Sequence, residues 1–141
     1  MQILKVDTEG RRLGDFGEAE AAKFLRKNGY RILERNFVAM EHEVDIIAED
    51  KYAVAFIEVK TRRIDRLSPM EPRPASSVTR EKQRSIIAAT KCYIAYHPPV
   101  KHVRLDIVEV YVSMEGGKPK VTEIKHLKGA FDSNTAYGRK R

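Results

Sequence analysis

The chain has 141 residues, one third of them charged, with 27 Lys and Arg against 20 Asp and Glu for a net charge of +7. That length suits one domain with a hydrophobic core and is short for two, and the basic excess suits a polyanionic partner but equally serves solubility. No run approaches the roughly 18 apolar residues of a membrane span, and the start MQILKVDTEGRR lacks the apolar core of a signal peptide, so a cytoplasmic protein without membrane contact is expected.

Arg11 to Asn28 read as an amphipathic helix: Glu18, Ala21, Ala22 and Leu25 share a face at spacings of three and four, and Gly29 supplies the stop. The runs YRILERNFVA, EVDIIAED and YAVAFIEVKTR are strand-like, and three strands in succession predict a meander. A four-residue hairpin loop over 50–53 sets an antiparallel register pairing Ala48 with Ala55, Ile46 with Ile57 and Asp45 with Glu58. The stretch 64–77 carries Pro69, Pro72 and Pro74 among several arginines and reads as a loop. Helix resumes near Thr79, with Ile86, Ala89, Thr90 and Tyr93 on one side, and stops at Pro98 and Pro99. Cys92 in this helix has no cysteine partner and reads as a small packed residue. VRLDIVEVYV is rich enough in Val and Ile for a largely buried strand, and Gly116 and Gly117 turn it into a last strand, PKVTEIKHL. The order α-β-β-β-α-β-β gives an α/β domain over 11–131, a central mixed sheet flanked by helices. Residues 132–141 have little to bury and read as a basic, disordered tail.

The chemistry concentrates in VDIIAED and AFIEVKTRR. Alternation puts Glu58 and Lys60 on one face of their strand with Val54 and Phe56, and the expected register makes Asp45 the cross-strand neighbour of Glu58. A Glu-x-Lys pair alone reads most simply as a solvated ion pair. Acids emerging from an apolar strand face are costly to keep for structure alone, which favours a functional site. Asp45 and Glu58 can supply the one or two carboxylates that Mg2+ (or Mn2+) takes, the backbone carbonyl of Val59 can add a ligand, and Lys60 can orient water and stabilise charge. Glu18 shares the inward face of the first helix and is either a further site acid or a carboxylate favoured by the helix dipole. Glu43 lies on Asp45's face under strict alternation and ranks below it.

Arg62, Arg63, Arg66, Arg73, Arg80, Lys82 and Arg84 follow these acids closely, so phosphates would be drawn there; Arg62, Arg63, Lys82 and Gln83 are the candidate nucleic-acid contacts. No Gly-rich phosphate loop or nucleophile elbow occurs, and His42, His97, His102 and His126 show no zinc spacing.

Taken in order, GDFGEAEAAKFLRKNGYRILERNF, EVDIIAED, AFIEVKTRR, TREKQRSI, VRLDIVEV and IKHLKGAF resemble the YraN family of bacterial proteins, which look like members of the restriction-endonuclease-like, or PD-(D/E)XK, nuclease fold shared by archaeal Holliday junction resolvases. The resemblance spans roughly residues 13–131. It implies a restriction-endonuclease-like core, with Glu18 as the helix-borne acid, Asp45 and Glu58 as metal carboxylates and Lys60 as the catalytic lysine. A metal-dependent nuclease acting on DNA, at branched or damaged structures, is the function it implies, with a homodimer as in the resolvases. A non-catalytic nucleic-acid-binding protein on the same scaffold is the alternative. His42 stands where the family commonly has a glycine, and EPRPASS replaces a glycine-containing stretch.

Overall fold

Alternation along the strands decides which helix covers which side of the sheet. The structure, a computed structural model, describes residues 8–66 and 78–138. Its elements are α1 (Thr8–Lys27), β1 (Arg31–Ala39), β2 (His42–Glu49), β3 (Ala53–Arg63), α2 (Arg80–Tyr96), β4 (His102–Glu115), β5 (Lys118–Leu127) and α3 (Ser133–Tyr137), with a single 3-10 turn over Ile64–Arg66. Pro69, Pro72, Arg73 and Pro74 of the expected loop lie outside the described residues. The strands lie in sequence order; β1, β2 and β3 form the antiparallel meander, β4 joins β3 in parallel after the α2 crossover, and β5 returns antiparallel. The sheet is therefore mixed and flanked by helices, the α/β architecture expected from the sequence.

Ala55, Ile57 and Val59 of β3 pack with Ala21, Ala22 and Leu25 of α1, and Val108, Val110 and Val112 of β4 extend that layer. On the other side Val54 and Phe56 meet Ile86, Ile87, Ala89 and Tyr93 of α2. Asp50 closes the β2–β3 turn by accepting the backbone N–H groups of Tyr52 and Ala53, an Asx turn that fixes the register. Ala48 then faces Ala55 and Ile46 faces Ile57, as the loop length requires. The pairing ends there, and Asp45 is not a rung opposite Glu58.

The reason is a matched kink in β1 and β2. Strict alternation would put Val44 and Ile46 on one face, yet Val44 packs with the α2 layer and Ile46 with the α1 layer. Opposite the break, Asn36 has φ +52°, the left-handed region that an Asn tolerates better than most residues. The β1–β2 ladder runs Phe37 to Val44 and Arg35 to Ile46, passing over Asn36 and Asp45.

Two further contacts fix the frame. At Gly17, α1 comes so near β3 that an added Cβ would lie 1.8 Å from Thr61 Oγ1, which seats Glu18 at the sheet. Asp106 of β4 is fully buried and accepts from Arg104 Nε (2.9 Å), His126 Nε2 (2.7 Å) and the Gly129 N–H (2.9 Å), tying β4, β5 and the following turn together. Burial alone would raise its pKa, but these donors outweigh burial and hold the carboxyl below its ordinary value.

The expected tail needs correction. Asp132 caps α3 in a capping box with Thr135, and Ala136 is fully buried in the α2-side core. Thr135 Oγ1 donates to Gln83 Oε1 and Arg84 Nε donates to the Ala136 carbonyl, so residues 133–137 are docked helix instead of disordered chain.

Gly17→Ala is expected to destabilise the protein by about 1–3 kcal/mol in urea unfolding, since backbone or Thr61 must move, and Thr61→Ala in that background to recover part of the loss. Asp106→Ala is expected to cost about 3–5 kcal/mol by stranding Arg104 and His126. Because Asp106 is depressed in the folded state, its contribution is fully present above the ordinary aspartate value of 3.8 and is lost as pH falls through the lower folded value; unfolding of wild type and variant followed from pH 7 to pH 2 reads this directly.

Candidate active site

Where β2 leaves β3, a cleft of about 370 Å³ opens against the first half of α1. Gly10, Leu13, Gly14 and Glu18 line it from α1, Asp45 from β2, and Glu58, Val59 and Thr61 from β3. The three predicted carboxylates and Val59 thus meet at one place.

Asp45, freed from the ladder, accepts the Val59 backbone N–H through Oδ2 at 2.8 Å. Its carboxylate takes over the hydrogen bond that a β2 carbonyl would have supplied, which keeps a buried N–H satisfied. Glu58 is only 6% exposed and bonds to Asp45; burial first, and Asp45 second, push its pKa up to about 8 against the opposing pull of Lys82 and Lys60. Glu18 is pushed up to about 7, again by burial first and then by Asp45, with Glu43 and Asp15 adding to it and Arg35 opposing. Two acids that titrate near neutrality mark negative charge crowded into a partly dry space.

Lys82, in the first turn of α2, places Nζ 3.6 Å from Glu58 Oε2, while Thr79 caps the helix by accepting the Lys82 backbone N–H. Expected as a nucleic-acid contact, Lys82 is seen as the ion-pair partner of a site carboxylate. Lys60 does not line the cleft. Alternation carries it with Val54 and Phe56 toward α2, beside Glu109 in the parallel register, and it has no ion pair within 4 Å among the described residues. Glu109 is itself buried, with Oε2 lacking a hydrogen-bond partner among the described residues.

The other basic candidates are placed differently. Arg63 pairs with Asp65 at 2.6 Å and Glu9 at 3.2 Å, and with Glu9 it lines a separate cavity at the start of α1 instead of the acid cleft. Gln83 donates to the Val78 carbonyl and accepts from Thr135, so its amide serves the α2–α3 junction. Arg62 is half-buried. One residue of the site escapes sequence reading: Asn36, whose amide nitrogen, turned to face the acids, donates to Glu18 Oε1 at 2.9 Å and Glu43 Oε1 at 3.2 Å. The only signal in the sequence was an Asn, a residue disfavoured in strands, in the middle of one.

A glutamate whose folded pKa lies above its ordinary 4.5 keeps full stability below that value and loses it as pH rises through about 8. Glu58→Gln is therefore expected to be more stable than wild type by about 1–3 kcal/mol in metal-free buffer at pH 8.5, with the difference shrinking toward pH 4.5. Paired thermal melts in EDTA at the two pH values measure it; a Gln variant less stable at both would contradict the burial penalty.

The family model described as uncharacterised protein family UPF0102 matches residues 17–110. A UPF0102 protein of Chlorobaculum parvum is 44% identical over 121 residues, covering 84% of this chain and 91% of the relative. Those of Chlorobium phaeobacteroides, at 38% over 84% of this chain and 93% of the relative, and Caldicellulosiruptor saccharolyticus, at 39% over 86% and 98%, are similar at nearly the same extent. The match contains Glu18, Asp45, Glu58 and Lys60, and the chain belongs to the uncharacterised protein family UPF0102, the YraN family that its motifs resemble.

Proposed function

We propose that this protein is a nuclease that hydrolyses DNA phosphodiester bonds with the help of Mg2+ or Mn2+, at branched or damaged structures. The observation that supports it is the meeting of Glu18, Asp45, Glu58 and Val59 around one cleft, with Lys82 on Glu58. The donor set suits a hard divalent ion: the cleft offers only oxygen ligands, and two of its carboxylates are in contact. Among the described residues no group of three or more His, Cys, Asp or Glu is converged for a metal. Mg2+ does not require one, since it typically takes one or two protein carboxylates and fills its shell with water and substrate phosphate. Asp45 and Glu58 would hold the ion, with Val59 beside them.

When bound, such an ion supplies neutralisation of phosphate charge and a more acidic water. Glu18, with a pKa of about 7, can accept a proton from the attacking water at neutral pH. Lys82, 3.6 Å from Glu58 in the structure, would be available to a phosphate oxygen with Glu58 engaged as a ligand. Lys60, on a flexible stem two residues beyond Glu58 on the same strand face, would approach the same oxygens from the α2 side. Arg62 and, once its carboxylate partners yield, Arg63 extend the positive track along the substrate backbone. No helix among the described residues is long and apolar enough to cross a membrane, and the partner of the +7 chain in this reading is DNA.

Purified full-length protein incubated with labelled four-way junction, flap, duplex and single-stranded DNA in Mg2+ or Mn2+ is expected to cleave at least one of them. Asp45→Ala, Glu58→Ala and Lys60→Ala are each expected to lower kcat by about 100-fold or more with little change in DNA affinity. Cleavage that is equal in wild type and variants, or absent from all, would overturn the proposal. Salt-sensitive DNA binding without cleavage, unchanged or tightened by neutralising the acids, would identify the non-catalytic binding module instead.

A further inference from the structure

We propose that Asn36 is the positioning residue of the site: its left-handed backbone turns Asp45 out of the β-ladder, and its carboxamide holds Glu18 against Glu43. Three observations converge on it. Its φ of +52° lies opposite the point where β2 changes face, and the ladder passes over the Asn36–Asp45 pair. Its amide lies between two carboxylates on different elements and, with the nitrogen turned toward them, donates to Glu18 of α1 at 2.9 Å and Glu43 of β2 at 3.2 Å. Glu18 lines the cleft with Asp45, whose charge adds to the cost of ionising Glu18.

Few side chains can fill both roles. A β-branched or bulky residue is strained at this φ, and glycine, which accepts it, has no amide. Aspartate tolerates the backbone but would bring a further negative charge to Glu18 and Glu43. Asn supplies the backbone conformation together with two N–H donors and no charge. The shared donor thereby bridges Glu18 and Glu43 and offsets their mutual repulsion, while Asp45 and Glu58 remain together for the ion. That division of labour rests on the nuclease reading above; the hydrogen bonds and the kink do not.

The test separates backbone from amide and structure from catalysis. In metal-free full-length protein, the Asn36 side-chain N–H resonances are expected to be displaced from those of solvent-exposed asparagines and to move in Glu18→Ala. Resonances at solvent-exposed positions, unmoved by Glu18→Ala, would overturn the proposal whatever the protein cleaves. Asn36→Gly, which spares the backbone, is then expected to weaken Mn2+ binding or lower kcat by about 10–100-fold at nearly unchanged KM. Asn36→Ala is expected to show that loss and a lower Tm besides. If Asn36→Gly binds Mn2+ and cleaves as wild type does while only Asn36→Ala loses stability, the residue is merely a backbone accommodation and the proposal fails. Wild type that binds Mn2+ but cleaves nothing removes the nuclease reading and leaves the Mn2+ affinities of the variants to decide the role of Asn36.

Discussion

The candidate site depends on the early end of the β2–β3 ladder. Antiparallel strands of regular geometry would have continued pairing past Ile46 and Ile57, fixing Asp45 as one more rung on the face of the sheet. Because β1 and β2 kink together at Asn36 and Asp45, β2 swings away and Asp45 turns its side chain to the Val59 amide. A hydrogen bond lost by the backbone is recovered by a carboxylate. The fold therefore stays satisfied while a carboxylate is delivered to the edge of β3.

Two buried acids show how much depends on what surrounds them. Asp106 and Glu58 are both withdrawn from water, and burial raises both. Asp106 meets donors on three sides and is driven down, which makes it a brace between strands. Glu58 meets another carboxylate and is driven up, because the cations of Lys82 and Lys60 do not outweigh burial and Asp45. A brace gains by being fully paired. A carboxylate with unmet charge is worth its cost in stability only where something positive comes to it, and this contrast separates a structural acid from a candidate ligand more surely than burial alone.

The periodic features were legible in the sequence. The apolar faces of α1 and α2, the meander, the mixed character of the sheet and the Ala48–Ala55 and Ile46–Ile57 register follow from element order, spacing and the Asp50 turn. The Asp45–Glu58 rung did not form because one left-handed residue cancels alternation, and alternation was the assumption behind it. Lys82 as a partner of Glu58 could not be read, since that contact joins residues far apart in the chain through the packing of α2 on the sheet. α3 was invisible for a different reason: five residues make little more than one turn, with a single buried side chain and no period to detect. Its stability comes from the Asp132 cap and from contacts to Gln83 and Arg84, which are tertiary.

Among the described residues, β3 is paired with β4 on one side only from Glu58 to Arg63. An unpaired strand edge beside a hydrophobic core invites association with another strand unless something covers it. Here α1 comes down on it at Gly17 and Thr61, Asp45 takes the Val59 N–H, and Lys82 approaches Glu58 from the α2 side. Groups from both faces of the sheet can converge on Glu58 because β2 no longer pairs with β3 at that point; with the pairing continued, β2 would stand between them. The cleft is thus the space that β2 vacates, and its acids are the polar groups nearest the exposed backbone edge. That explains why the site lies at the end of β3 and not in the middle of the sheet, where the same carboxylates would be sealed between two neighbouring strands and two helices.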